Sequence, residues 1–496
     1  MQGKDYHSRT SYSRWKMTGH ALDWDHRPDL YKRYPGVESV ALPRKGGALG
    51  TASLWDIIDE AATGNARAID LAGLAELLAL GYGITGAVRY PHETFHYRSA
   101  PSAGALYPCE LYIAVYDVAG LAPGLYYFSV IDFTLKRLRS DDIGGFTAEN
   151  AGAGLALTLF ITGIPFRSAW KYRARAFRYV LLDAGHLLGN LALVARGLGW
   201  PGRIRCDFDD AATGRLLGLD GRREAGVVRM DMGSREDVFI PAGTIPALPA
   251  EICAASRVSD RETVYPEIEQ MMAVQPFYGV TAAVDFPVSA VLTHRPVQWQ
   301  AAEAPTKTAT GCPAAQAMVQ RRSSRNFIDR KIPADKFNSL LSLLGSCFRG
   351  GLSAGPTPAR YLVPGFIAGA VDKVDPGFYL FDPEAGQFAL ASPGPLTRPM
   401  ADACLNQEWL KNAGVHFLFM LDPGRLADAC GPRGYRYAMI QAGFLGQLIY
   451  LGATALGLGA CGIGAIYDDE AQSLLALSSG SVLGYLVAAG VVKKTK

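Results

Sequence analysis

The sequence predicts a tandem protein in which one α/β or α+β fold occurs twice within a single chain of 496 residues. Three observations predict it. The pattern Arg178-Tyr179, Gly185, Leu187, Leu193, Ala195 and Leu198-Gly199 recurs 258 positions later as Arg436-Tyr437, Gly443, Leu445, Leu451, Ala453 and Leu456-Gly457. A weaker echo pairs Pro123-Gly124-x-Tyr126-x-Phe128 with Pro376-Gly377-x-Tyr379-x-Phe381. In both halves, stretches of helical period alternate with β-rich ones, the pattern of sheets covered by helices.

The elements follow in order. Residues 1–48 are rich in Trp, Tyr and Arg, with little periodicity. Helical patterns follow at 54–62 and 71–80, and residues 110–115 and 124–128 read as strands. Residues 179–197 form a long helix, apolar nearly all round and dotted with small residues. Such a helix is buried, here between the two halves. From 241 to 310 Pro, Ala, Thr and Gly dominate, which reads as a linker with short structure inside it. The expected domains are therefore 1–240 and 311–496, each long enough for a substantial core. In the second half, 313–322 and 334–347 read as helices, and 437–456 repeats the long helix. Strands are expected near 361 and 378, at 415–421 and at 482–492.

Composition narrows the function classes. Hydrophobic residues make up 49% and charged residues 19%, a globular balance. With 49 basic and 46 acidic residues the net charge is +3, which gives no electrostatic case for nucleic acid. The eight cysteines are scattered singly, with neither a disulfide framework nor zinc-site spacing. The polar start has no apolar signal core, and no apolar run approaches the length of a membrane span, so the expectation is a cytoplasmic protein with no membrane partner.

Five motifs could carry chemistry. Ser99-Ala-Pro101-Ser102-Ala103-Gly104-Ala-Leu-Tyr-Pro108 places small residues between prolines, which lets backbone approach a flat ligand; the same residues also make an ordinary turn. Arg321-Arg322-Ser323-Ser324-Arg325 offers two guanidinium forks one helical turn apart with a hydroxyl beside them, suited to a phosphate monoester or to a solvated face. Gly457-x-Gly459-x-x-Gly462-Ile463-Gly464 matches a dinucleotide fingerprint, yet it follows a helix, so it reads as a Gly-rich loop beside a planar ligand. Gly351-x-Ser353-x-Gly355 lacks the strand-turn-helix context of a hydrolase nucleophile. Finally, Trp170-Lys171-Tyr172-Arg173-Ala174-Arg175 puts acid/base-capable side chains just ahead of the long helix, where a polar helix N-terminus is an equal reading.

These motifs together resemble the nitroreductase superfamily, and within it the SagB/ThcOx-type branch of azoline dehydrogenases. The stretch from Arg98 through Pro101-Ser102-Ala103-Gly104-Ala105-Leu106-Tyr107-Pro108 to Glu110-Leu111-Tyr112 is similar to that branch's signature. So are Trp24, Arg27, Pro28, Tyr31, Lys32, Tyr34 and Pro35, and the run from Arg178-Tyr179 through Gly185-His186 to Asn190. The second half resembles the wider superfamily through Arg321–Arg325 and the 462–465 stretch. The resemblance implies an α+β fold of two nitroreductase-like domains, each a mixed or antiparallel sheet flanked by helices. They would form a pseudo-dimer within one chain, with FMN at the domain interface and room for further dimerisation.

It also implies a division of labour. Arg321, Arg322, Ser323, Arg325, Gly462, Ile463, Gly464, Lys493 and Lys494 would hold one FMN from the second half. Ser99, Pro101, Ser102, Ala103 and Gly104 would cover it from the first. The matching places in the other copies read Ala61-Ala62-Thr63-Gly64-Asn65-Ala66-Arg67 and Leu352-Ser353-Ala354-Gly355-Pro356-Thr357-Pro358, so one FMN per chain is expected. Lys171-Tyr172 sits where the branch carries its oxidation pair. The implied activity is oxidation of a thiazoline or oxazoline ring of a modified peptide, or of a related small heterocycle, alongside a cyclodehydratase partner. The rivals are an NAD(P)H-dependent nitro- or ene-reductase and a flavin-less binding partner in a peptide-modifying complex.

Overall fold

The computed structural model describes residues 1–44, 46–59, 68–91, 93–140, 154–200, 202–233, 245–274, 288–294, 298–302, 311–349 and 361–493. Each half is built on a seven-stranded sheet, antiparallel throughout. The first runs Ser39–Ala41, Thr134–Arg139, Gly124–Ser129, Cys109–Val115, Leu157–Gly163, Ala225–Met232, Gly202–Arg205. The second repeats that order as Trp299–Ala301, Gln387–Pro393, Gly377–Asp382, Val363–Ala368, Val415–Leu421, Val482–Gly490, Gly459–Ile463. The fold is the expected α+β tandem. Central strands such as Cys109–Val115 and Val415–Leu421 are buried along their whole length, because helices cover both faces.

At the centre lie two 22-residue helices, Ala176–Gly197 and Gly434–Ala455, in the register the repeat demands. They touch where side chains are missing. A Cβ on Gly185 would stand 2.1 Å from the Ile440 carbonyl oxygen, and one on Gly443 would stand 2.1 Å from that of Leu182. The stretch Pro423–Ala455 is long and apolar enough to cross a membrane, yet 94% of its most apolar window is buried inside the protein, as befits a core helix.

Several expected elements take another form. The helix expected at 313–322 is Ala314–Gln320; Arg321 leaves helical geometry, and Ser324 N donates to Ala460 O, so the chain runs extended beside strand Gly459–Ile463. Arg321 and Arg325 are therefore not one helical turn apart. The stretch expected as a Gly-rich loop is mostly that edge strand: Gly457, at φ +69°, ends the long helix and Gly459 begins the strand. Lys171-Tyr172 lies just ahead of the long helix, as expected, at the end of a separate helix, Pro165–Tyr172, that stops where Arg173 turns to φ +51°. The 241–310 stretch holds helices Ala250–Ala254 and Pro266–Met272, and its strand Trp299–Ala301 is already the edge of the second sheet. Residues 61–67, 351–358 and Lys494 lie outside the described residues.

Candidate functional site

The first half brings the Pro101–Gly104 turn to the domain interface by packing it on the long helix. The Ser102 hydroxyl donates to Asp183 Oδ2 at 2.5 Å and accepts from Tyr107 N–H at 2.8 Å; Ala103 N–H donates to Asp183 Oδ1 at 3.2 Å. Gly104 has φ +64°, and a Cβ there would come within 2.7 Å of the Tyr172 hydroxyl. Only glycine fits that notch.

The second half supplies the facing wall. Ser323 and Arg325 leave the end of helix Ala314–Gln320, Gly462 and Gly464 follow from the edge strand, and Tyr450 and Tyr485 project from the core. Together these residues enclose a cavity of about 90 Å³ with Pro101–Gly104, Tyr179, Leu182, Asp183 and His186. Of the sequence-predicted residues, the structure thus gathers Pro101, Ser102, Ala103, Gly104, Ser323, Arg325, Gly462 and Gly464 around one space.

The others lie elsewhere. Arg321 is 3% exposed and turns away, donating to the backbone carbonyls of Ser99 at 2.7 Å and Arg98 at 3.1 Å. Arg322 donates to Thr85 O at 2.7 Å. These two guanidinium groups clasp the halves together, while Ser99 is buried beneath them. Ile463 points into the second-half core. Lys493 is exposed, and its backbone is paired to Asn326, next to Arg325. Tyr172 reaches the rim through the Gly104 notch and meets Tyr179 edge-on at 4.6 Å. Lys171 Nζ lies 5.5 Å from the Tyr172 ring centre. Burial pushes the Tyr172 phenol well up.

Several cavity groups were not anticipated as site residues, among them Asp183, His186 and Tyr450, and they differ in electrostatics. Asp183 is 7% exposed; burial pushes its carboxyl up to about 7, against the hydrogen bonds from Ser102 and Ala103. His186 is pushed down to about 3 by burial. Its Nδ1 donates to Gln447 Oε1 at 2.9 Å, since Gln447 Nε2 is given to Asn190 Oδ1, so Nε2 accepts from the Tyr485 hydroxyl at 2.8 Å. Tyr450 Oη accepts from Gly462 N–H at 2.6 Å and meets Ser323 Oγ at 3.1 Å. Comparison of the two copies offers the missing signal: Asp183 and His186 correspond to Gln441 and Phe444. Ionisable groups at two positions of a buried helix, replaced in its twin by an amide and a phenyl ring, mark a difference between the two interfaces.

An N-terminal strap closes the same side. Helix Gly3–Arg9 lies over Arg175 and Arg178, which pair with Asp468 of the second half at 2.7 and 2.8 Å. Arg175 also donates to Thr10 O and to Gly464 O, both at 2.9 Å, so strap and cavity wall are tied through one side chain. Helix Pro266–Met272 makes the equivalent cover on the other copy, where Arg436 donates to Met271 O at 3.2 Å.

The Nitroreductase family model matches residues 65–233 and again 318–491. The chain belongs to the nitroreductase family. Among curated proteins it is 31% identical over 139 residues to the putative nitroreductase MJ1384 of Methanocaldococcus jannaschii, covering 26% of this chain and 65% of that protein. It is 28% identical over 167 residues to the Microcin B17-processing protein McbC of Escherichia coli, covering 31% of this chain and 57% of McbC. The similarity to a peptide-processing nitroreductase-like protein agrees with the resemblance to the SagB-type branch. A putative nitroreductase from Anabaena variabilis shares the fold over 99% of both chains, with a TM-score of 0.77 at 24% identity.

The cavity's chemistry fits FMN. Ser323 and Arg325 stand exposed at its mouth as anion donors, and the small residues Ala103, Gly104, Gly462 and Gly464 line it, where backbone can approach a planar group. Its volume of about 90 Å³ is smaller than the roughly 300–1,000 Å³ that ligand pockets generally hold. The Tyr485 hydroxyl fills the space beside Gly462, where a Cβ would meet it at 1.8 Å.

Proposed function

We propose that this protein is an FMN-dependent dehydrogenase that oxidises an azoline ring of a modified peptide or a related small heterocycle, using a single flavin site shared by its two halves. The observation carrying this reading is that Pro101–Gly104 from one half and Ser323, Arg325, Gly462 and Gly464 from the other line one cavity. FMN bound there would supply two-electron redox chemistry. In this reading Ser323 and Arg325 hold its phosphate end, with Lys493 nearby, and Pro101–Gly104 covers the ring. Lys171 and Tyr172 approach from the Gly104 side, where they orient the substrate and relay its proton. A cyclodehydratase supplying the azoline is the matching partner.

Incubation of the FMN-loaded protein with an azoline-containing peptide, followed by mass spectrometry, tests this. Loss of two hydrogens per ring, abolished in Lys171→Ala/Tyr172→Phe with FMN retained, is the expected result. No oxidation by the loaded wild type, or full oxidation by the double variant, contradicts it. The small, tyrosine-filled cavity favours a second reading, a flavin-less binding partner in a peptide-modifying complex; an inability to take up FMN on reconstitution would select it.

A further inference from the structure

Asp183 is the one acid on the cavity wall among the described residues. It is held there by neutral donors alone, the Ser102 hydroxyl and the Ala103 N–H. Tyr107, Cys109, Tyr172 and Tyr485, all uncharged when protonated, feel its charge. On its own helix Tyr179 and a neutral His186 face the same space, and Arg325 stands at the mouth. A buried carboxyl so placed lacks the cation that normally fixes its charge.

The second copy acts as an internal control. There the position belongs to Gln441, whose Oε1 accepts from Tyr361 N–H at 3.3 Å. An amide thus suffices to anchor a neighbouring loop. A carboxyl stands only in the copy where this position lines the cavity, and holding Ser102 does not by itself require one.

Resting on the reading that a flavin occupies this cavity, we propose that Asp183 exchanges a proton with the occupants, accepting the proton that the substrate releases as it is oxidised. The step would balance: a bound flavin would supply the two-electron acceptor for the hydride released from one substrate C–H bond, and a second hydrogen would leave as the proton that forms the Asp183 O–H bond. A carboxyl that titrates near neutral pH suits this exchange. The Tyr172 phenol, pushed up by burial, is a poor base there and serves as a relay from the rim.

Two readouts separate this role from loop anchoring. Infrared spectra of flavin-free wild type should show a buried carboxyl C=O band that titrates near pH 7 and is missing in Asp183→Asn. A wild type with no such band overturns the proposal whether or not flavin binds. In FMN-loaded protein, the slope of the flavin midpoint potential against pH should break near pH 7. Asp183→Asn should keep FMN and lose the break, and Asp183→Glu should restore it. An unchanged break in Asp183→Asn overturns the proposal while leaving the flavin reading intact. Failure of the wild type to take up FMN overturns that reading, and the proposal with it. With an azoline peptide, Asp183→Asn should lower kcat by about 10²–10⁴-fold with KM little changed.

Discussion

The Ser102 hydroxyl donates to the Asp183 carboxylate over 2.5 Å, joining the loop ahead of strand Cys109–Val115 to the long central helix. That bond favours the ionised carboxyl, so it opposes the burial that raises Asp183 to about 7. Ser102→Ala should move the carboxyl's titration further up, and a downward or absent shift would contradict the assignment.

The same shift predicts a pH-dependent stability. A carboxyl raised from 3.8 to about 7 binds more protons folded than unfolded across that interval, so its contribution is full below about pH 4 and is lost as pH rises through 7. Asp183→Asn removes the penalty. Its Tm relative to wild type should climb between about pH 4 and 7 and level off above that, by the equivalent of about 1–4 kcal/mol. Parallel Tm curves across that range would refute it.

Gly185 and Gly443 give a packing prediction. A methyl at either position collides with a backbone carbonyl that no side-chain rotation can move. Gly185→Ala or Gly443→Ala should each cost about 1–3 kcal/mol in denaturant unfolding, as overpacked cores do. A neutral result would mean that the helices separate without cost.

Much of this architecture was legible in the sequence, and the failures have physical causes. The 258-residue offset placed both long helices correctly because small residues at a close helix crossing are constrained in both copies. The Pro101–Gly104 turn and Ser323/Arg325 were brought together around one cavity. Arg321 was not, because the helix stops at Gln320 and the guanidinium turns to carbonyls whose position depends on tertiary packing. Asp183 went unread because a single acid hardly disturbs the apolar pattern of a buried helix. The strap was illegible too: His7, Arg175, Arg178 and Asp468 meet only in three dimensions.

That strap should respond to acid. Burial and Arg178 push His7 down to about 4, so from pH 6.5 to 4 the unfolded chain takes up a proton that the folded chain refuses. Burial alone would raise Asp468, but Arg175 and Arg178 hold it well below the usual carboxylate range; its stabilisation is present above about pH 4 and is lost on acidification below that. Asp468→Asn should leave two buried guanidinium groups uncompensated and cost about 3–5 kcal/mol. It should also raise amide hydrogen exchange across residues 3–10, and unchanged protection there would contradict the strap's dependence on Asp468.

Tyr485→Ala separates stability from binding. Removing a large buried ring should lower stability by about 3–5 kcal/mol. The space it vacates beside Gly462 should at the same time speed FMN uptake, read by quenching of flavin fluorescence. Slower uptake would show that Tyr485 does not stand in the way.

The central claim is one flavin site shared by two halves, and flavin stoichiometry tests it most directly. After reconstitution and removal of free cofactor, the account predicts one FMN per chain, identified by mass. Arg325→Ala should weaken binding by about 10–100-fold, the equivalent of one charge-assisted hydrogen bond. Two FMN per chain, or none, would contradict it.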